Sequence, residues 1–299
     1  MSTIGTTTRP TGAVVVGIAA SNTTSAIRWA VEEARTRQLP LHLVHAFGTP
    51  GAILTNQTHG RVFEQAEHAL EQAVAHARGL AQGAVQVSGE LDGENEPVDA
   101  LVDLSDKAAL VVLQHRMLGP VHRAFSGSLV NAVAARAHGP VVSVAENWRP
   151  RDLRGVVTVA VQDPDDALAL LCAAGDEAGA RGAAVHLLHA WWLNSGYDLV
   201  VVDEAYRKER AGEVRQWLNP ILREFARLQP GTEVTEEIRH APPLEAILDA
   251  AAMCDVLVIG RRRHVLPQGS HLGPVSRAVL DHTDTPVVVI GKSSHERSS

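Results

Sequence analysis

The sequence predicts an α/β protein built from two repeated, doubly wound, parallel five-stranded sheets. Three observations carry this. Four short apolar runs recur in the same order in both halves of the chain. Each run is rich in β-branched residues and nearly continuous in apolar character, as strands are when helices cover both faces of a parallel sheet. The segments between the runs show helical rather than strand periodicity.

The repeats can be followed residue by residue. Val14-Val15-Val16-Gly17-Ile18 matches Val157-Thr158-Val159-Ala160-Val161, 143 residues on. Leu41-His42-Leu43-Val44-His45-Ala46-Phe47 matches Val185-His186-Leu187-Leu188-His189-Ala190-Trp191, 144 residues on. Leu110 to Leu113 matches Val256 to Ile259, and Pro140 to Val144 matches Pro286 to Ile290, both 146 residues on. A drift of three residues over four matches is the mark of a duplicated unit. Weaker strands are expected at Val85 to Gly89 and at Thr232 to Arg239.

Helices fill the gaps. From Ser25 to Arg37 the apolar stripe is Ile27, Ala30, Val31 and Ala34, with caps available in Asn22, Thr23, Thr24 and Ser25. A second helix runs from Arg61 to Leu80. A third opens near Pro97 and carries Leu101, Leu104 and Ala108 on one side. A fourth runs from about Ser128 to Ala137 and stops at Gly139-Pro140. In the second half, Pro220 breaks the corresponding long helix, so a kink or two pieces is expected.

Length and charge agree with this plan. A chain of 299 residues accommodates two domains. The polar, proline-containing stretch from Glu146 to Asp152 is the natural linker, giving domains at 1–148 and 155–292. Net charge is −7, which leaves no global basic footprint for nucleic acid. No run of apolar residues is long enough to span a membrane. Cys172 and Cys254 are the only cysteines, which excludes a disulfide framework or a cysteine-rich zinc site and suits a reducing cytoplasm. His42 and His45 fall on opposite faces of one strand and cannot chelate a common metal. His45 and its repeat His189 read as strand-end packing residues. Trp191-Trp192 either packs a strand end or lines the cleft.

In open parallel sheets, ligands bind beyond the carboxyl ends of the strands, where the strand order switches. Here that points to the loops after the first and fourth strands of each unit. The loops that begin at Gln114 and at Gly260 both carry Arg and His. Both lead to a helix N-terminus, where free amides favour an anion.

At these loops the chain resembles the universal stress protein family in its tandem, two-domain form. The resemblance covers about Ala13 to Gly291. It rests on Val15-Val16-Gly17-Ile18-Ala19-Ala20-Ser21, on Leu41 to Ala46, on Gly127-Ser128 followed by Pro140-Val141-Val142, and on Val258-Ile259-Gly260 followed by Thr285 to Ile290. It implies a Rossmann-like fold of the adenine-nucleotide-binding type. It also implies that the two fifth strands pair within the chain about a pseudo-twofold axis, and it leaves a homodimer open.

The family's ATP cradle has the pattern G-x2-G-x9-G-S/T after the fourth strand, with an Asp closing the first strand. Carried over by position, the first unit would contact adenine with Ala19, Ala46 and Leu113. It would hold phosphate with Arg116, Gly127, Ser128, Leu129 and Val130. The second unit would use Gln162, Ala190 and Ile259, with Gly260, Arg262, Gly273, Val275 and Ser276 near phosphate. The pattern is eroded in both. Gln114 and Met117 replace the first unit's early glycines, and Ala19 replaces its Asp. In the second unit, Arg263 replaces a glycine, Pro274 the hydroxyl residue and Gln162 the Asp.

Two functions follow from the resemblance. The motif losses favour a non-enzymatic stress-response protein with degenerate ATP-binding clefts, acting as a regulatory or interaction module for a protein partner. The alternative is a genuine ATP-binding stress sensor, with magnesium accompanying the nucleotide in one or both clefts. An enzyme on this architecture lacks support, because no Walker lysine or clustered magnesium-binding acids are present.

Overall fold

The computed structural model describes residues 11–19, 23–48, 56–116, 129–150, 153–193, 198–261 and 272–291. These form two compact units, the first made of the described residues up to Pro150 together with Leu272 and the second of the remainder. In the first, β1 (Val14–Gly17), β2 (Leu41–Ala46), β3 (Val87–Asp92), β4 (Leu110–His115) and β5 (Val141–Ala145) lie in the order β3-β2-β1-β4-β5. All of these pairings are parallel. In the second, β6 (Val156–Ala160), β7 (Ala184–Trp191), β8 (Val234–His240), β9 (Val256–Gly260) and β10 (Val287–Ile290) take the equivalent order β8-β7-β6-β9-β10, again all parallel.

Register repeats with the order. Val14 faces Leu41 on one side and Leu110 on the other, as Val157 faces Val185 and Val256. The central strands are buried, β1 along its whole length and β6 in its middle, with Val14, Val16, Val157 and Val159 all at 0% exposure. β3 and β8 begin two residues later than the sequence suggests and run farther. Both carry charge (Glu90 and Asp92 in β3; Glu236, Glu237 and Arg239 in β8), so apolar content alone marks them poorly. Charged side chains on an outer strand also discourage pairing with another chain.

The first helix of each unit shows both the duplication and a difference. α1 (Thr24–Arg37) has 14 residues and α5 (Pro164–Arg181) has 18. Their last turns correspond: Glu33 meets Arg37 and Glu177 meets Arg181, each pair four residues apart with the Glu buried. Both end on a left-handed residue, Gln38 at φ 56° and Gly182 at φ 63°. The four extra residues of α5 therefore lie at its start, as one additional turn. Asp163 caps that turn by accepting from the Asp165 amide at 3.2 Å, whereas Thr23, the N-cap of α1, makes no side-chain cap bond.

The long helices are α2 (Asn56–Ala81) and α7 (Glu204–Leu228). α2 begins five residues before the expected start. α7 passes through Pro220 as one helix, so the expectation of two pieces is overturned. Val214, Leu218 and Phe225 form a buried stripe on both sides of the proline, and their packing holds the helix together where Pro220 removes a backbone bond. α5 and α7 approach closely at Gly175. Gln229 lies over it, donating to the Cys172 carbonyl at 3.0 Å and to Asp176 Oδ1 at 2.8 Å. A Cβ at 175 would run into the Gln229 amide.

The remaining helices are shorter. α3 (Pro97–Leu104) stops before Ala108, contrary to the expected third helix. Ser105 ends it: its hydroxyl bonds back to the Val102 carbonyl at 2.5 Å and accepts from the His138 amide at 2.8 Å. α4 (Leu129–Arg136), α8 (Pro243–Ala252) and α9 (Pro274–His282) occupy the expected places, and α6 (Asp198–Val201) is a single unforeseen turn.

The chain is pinned on both sides of the linker, each pin within its own unit. The Ser25 hydroxyl donates to the Glu146 carbonyl at 2.7 Å and the Trp148 carbonyl at 3.1 Å. Asp255 accepts from the Arg154 and Gly155 amides, both at 2.8 Å, and from Val156 at 3.3 Å.

Candidate functional site

In each unit the strand order switches at the pair formed by the first and fourth strands, β1 with β4 and β6 with β9. In the second unit a cavity of about 460 Å³ opens at this point. Ala160, Val161, Leu188, Ala190 and Ile259 supply apolar surface from the strand ends, and Ile247 and Val279 close over it from α8 and α9. Leu170 and Asp166 enter from α5. Gly273, Pro274, Val275 and Ser276, at the start of α9, form the far rim.

The structure brings together most of the second-unit residues singled out by sequence. Gln162, Ala190, Ile259, Gly260, Gly273, Val275 and Ser276 all line this one cavity. Arg262 lies outside the described residues. Three further polar residues line it: Asp163 beside Gln162, Arg261 at the start of the arginine run, and Asp166, which sequence reasoning missed. The signal for Asp166 was its place one turn from Gln162. Burial pushes the Arg261 guanidinium below its ordinary pKa, and its backbone amide donates to the Ile290 carbonyl at 3.1 Å. A Cβ on Gly291 would meet that guanidinium, so glycine gives Arg261 its place.

The chemistry of the cavity is graded. Its inner part suits a flat apolar group. Its rim offers the amides of the first turn of α9, where the helix dipole favours an anion. Pro274 subtracts one of those donors. Ser276 Oγ donates to the Gly260 carbonyl at 3.5 Å. Gly260 keeps the wall thin, because a Cβ there would stand 3.1 Å from Asp166 Oδ2 and 3.2 Å from Leu170 Cδ1.

The first unit is built differently at the same place. Ala19, Ala46, Leu113 and Arg116 stand at or just beyond the carboxyl ends of β1, β2 and β4, and Leu129 and Val130 open α4. Gly127 and Ser128 lie outside the described residues. Gln114, at the position of Gly260, turns its side chain to α1. Its Oε1 accepts from the Ser25 amide at 3.1 Å and from the Ala26 amide at 3.3 Å.

Other sequence-flagged residues have structural roles. His42 is buried between Ser88 Oγ at 2.8 Å and Glu90 Oε2 at 3.2 Å. His189 Nδ1 donates to the Val161 carbonyl at 2.9 Å, and Trp217 meets its ring edge-on. Burial pushes both His45 and His189 below the ordinary imidazole pKa. Trp191 and Trp192 pack the ends of β7 and β8. His240 lies against both indoles, with ring centroids at 4.4 and 4.9 Å, and its Nε2 meets the buried Asp198 carboxylate at 3.0 Å. Burial pushes the Cys172 thiol up, which favours the less reactive protonated form. Among the described residues no group of three or more His, Cys, Asp or Glu side chains is arranged to hold a metal ion. No helix among them is long and apolar enough to cross a membrane.

Comparison with known proteins agrees with this geometry. The model of the universal stress protein family matches residues 11–145 and again residues 154–291. The chain belongs to the universal stress protein family and carries two of its domains in tandem. It is 30% identical over 302 residues to universal stress protein Rv1996 of Mycobacterium tuberculosis, covering 92% of this chain and 94% of that one. It is 28% identical to a universal stress protein of Mycolicibacterium smegmatis, over 93% and 96% of the two chains. The crystal structure of a universal stress protein from Archaeoglobus fulgidus shares the fold, with a TM-score of 0.73 at 17% identity, covering 96% of this chain and 99% of that one.

Proposed function

We propose that this chain is a non-enzymatic stress-response module that keeps one adenine-nucleotide cleft, in its second unit, and has lost the other. The observation that carries this is the contrast at one position. Gly260 borders an apolar cavity with a helix N-terminus on its rim, whereas Gln114 spends its side chain on α1. In the second cleft Gln162, Ala190 and Ile259 would border the base. Gly260, Arg262, Gly273, Val275 and Ser276 would border the phosphates. ATP with magnesium is the ligand to test first. A regulatory role fits better than catalysis, because Ser276, the hydroxyl on the rim, is directed at the Gly260 carbonyl and not at a base.

A degenerate interaction module with both clefts empty is the second reading. The loss of a donor at Pro274 and the carboxylates of Asp163 and Asp166 on the cavity wall favour it. Titration calorimetry with MgATP, in parallel with AMP, separates the two. One equivalent per chain supports the retained cleft. No heat and no thermal shift at millimolar ligand overturns it, since a ligand at 100 times its Kd adds about 2.7 kcal/mol of stability. We further propose that residues 1–148 and 155–292 act as the two domains, that their apolar fifth strands pair within the chain, and that the protein works in the cytoplasm.

A further inference from the structure

We infer that the second unit holds a further small-molecule site, outside the cleft, which takes a short aliphatic amine as its ammonium ion. The site is built on a side-chain constellation that is covered in the first unit and open in the second. In the first unit His42 faces Val15 of β1 and Ser88 of β3. Its Nδ1 lies 2.8 Å from Ser88 Oγ, and its Nε2 lies 3.2 Å from Glu90 Oε2. In the second unit His186 faces Thr158 and Thr235 in the same register, and its Nε2 lies 3.1 Å from Glu237 Oε2. Its Nδ1 lies 3.3 Å from Thr158 Oγ1, a hydroxyl where the first unit has Val15.

The two copies differ in access. The His42 and Glu90 side chains are 1% and 24% exposed, against 22% and 42% for His186 and Glu237. Beside the second pair lies a cavity of about 410 Å³, within the size range of small-molecule sites. Its floor is Thr158, His186 and Thr235, and its wall is the end of α8 through Ala250 and Met253. α3 and α8 both open on a proline, Pro97 and Pro243. Counted from these prolines, the first unit has Leu104 where the second has Ala250, and Lys107 where it has Met253. Alanine in place of leucine leaves room, and Met253, 66% exposed, gives the mouth an apolar lip.

Charge and shape then select the ligand. Glu237 and Asp249 border the cavity against a single guanidinium, Arg239, which Asp249 already engages at 2.6 Å. The end of α8 adds the partial negative charge of a helix C-terminus. Together these favour a cation. Val156, Ala250 and Met253 add an apolar strip, which a hydrated metal ion would not use. An alkyl ammonium matches both features. Its N–H donors suit Glu237 and the hydroxyl oxygen of Thr235, whose own proton goes to the Val185 carbonyl at 3.5 Å. Its stem lies along the strip.

The test is a titration of the full-length protein with n-butylamine at about pH 8, where an alkyl amine is protonated. The amide resonances of His186 and Thr235 report binding. Sodium butyrate, a stem of similar length with the opposite charge, is the control. The expectation is saturable binding of the amine and none of butyrate. Glu237→Gln should weaken the amine by about tenfold, through loss of a hydrogen bond to a charged group. Ala250→Leu, which installs the first unit's residue, should abolish binding. Should that variant fail to fold, Met253→Lys serves in its place: it changes an exposed side chain and sets a competing ammonium at the mouth, and it too should abolish binding. No saturable binding of the amine, equal binding of butyrate, or undiminished binding in Glu237→Gln or the cavity variant overturns the inference. Each of these outcomes is independent of whether the cleft takes nucleotide.

Discussion

His189 Nδ1 lies 2.9 Å from the Val161 carbonyl oxygen, joining the end of β7 to the residue that follows β6. The bond requires a proton on Nδ1, which both the neutral and the charged ring can supply. Burial selects the neutral ring, and the nearby Arg210 charge adds to the effect. His45 is likewise held neutral by its burial in the first unit. Both imidazoles would take a proton near the ordinary value of 6.5 in the unfolded chain, and only at lower pH in the fold. Below 6.5 the unfolded state then binds more protons, so stability is full above that pH and falls as pH drops toward the folded values. The urea midpoint should be lower at about pH 5 than at about pH 7.5, across the range where histidine titrates. His189→Gln should make this fall shallower. An unchanged pH dependence in the variant would show that His189 contributes none of it.

Two glycines of α5 should respond to alanine with opposite signs. Gly179 is exposed and a Cβ there would meet nothing within 4 Å. Gly179→Ala should stabilise by about 0.5–1 kcal/mol, the helix-interior cost of glycine. Gly175→Ala should destabilise by about 1–3 kcal/mol, because the Gln229 amide must leave its two acceptors. Paired urea denaturation of the two variants checks both signs.

Pro220 is exposed and lies inside α7. Pro220→Ala restores a backbone donor in a helix that continues unbroken through the position. It should raise stability by about 1–3 kcal/mol, up to the full helix-interior penalty of proline. A neutral or destabilising result in thermal unfolding would mean that the bend at Pro220 is needed for packing of Leu218 and Phe225.

Residues 1–148 expressed alone should self-associate. Within that unit β5 is the last strand of the order, and its sequence Val-Val-Ser-Val-Ala carries no charge. β3, at the other end, carries Glu90 and Asp92. An apolar strand with an unpaired edge recruits another chain. Light scattering should give at least twice the monomer mass. A monodisperse monomer would count against pairing of the fifth strands.

The fold could be read from sequence because duplication turns weak signals into paired ones. Val14 and Val157 alone are two apolar runs, but together with three further matches they define a unit. β3 and β8 were blurred because outer strands trade apolar residues for charge. α6 escaped notice because one turn has no period to detect. At Pro220 a kink and a break of α7 both stood open, because the sequence shows the lost donor but not the packing of Leu218 that keeps the helix in one piece. In the second cleft, positions inherited from the family pattern came together around one cavity. The role of Gln114 was invisible, since its partners Ser25 and Ala26 lie 89 and 88 residues away.

The carboxylate of Asp255, gripping three successive amides ahead of β6, works as a molecular clamp on the entry of the second half. Ser25 does the same for the exit of the first half through two carbonyls. An insertion between Arg154 and Val156 would pry open this clamp and misfeed the strand it guides.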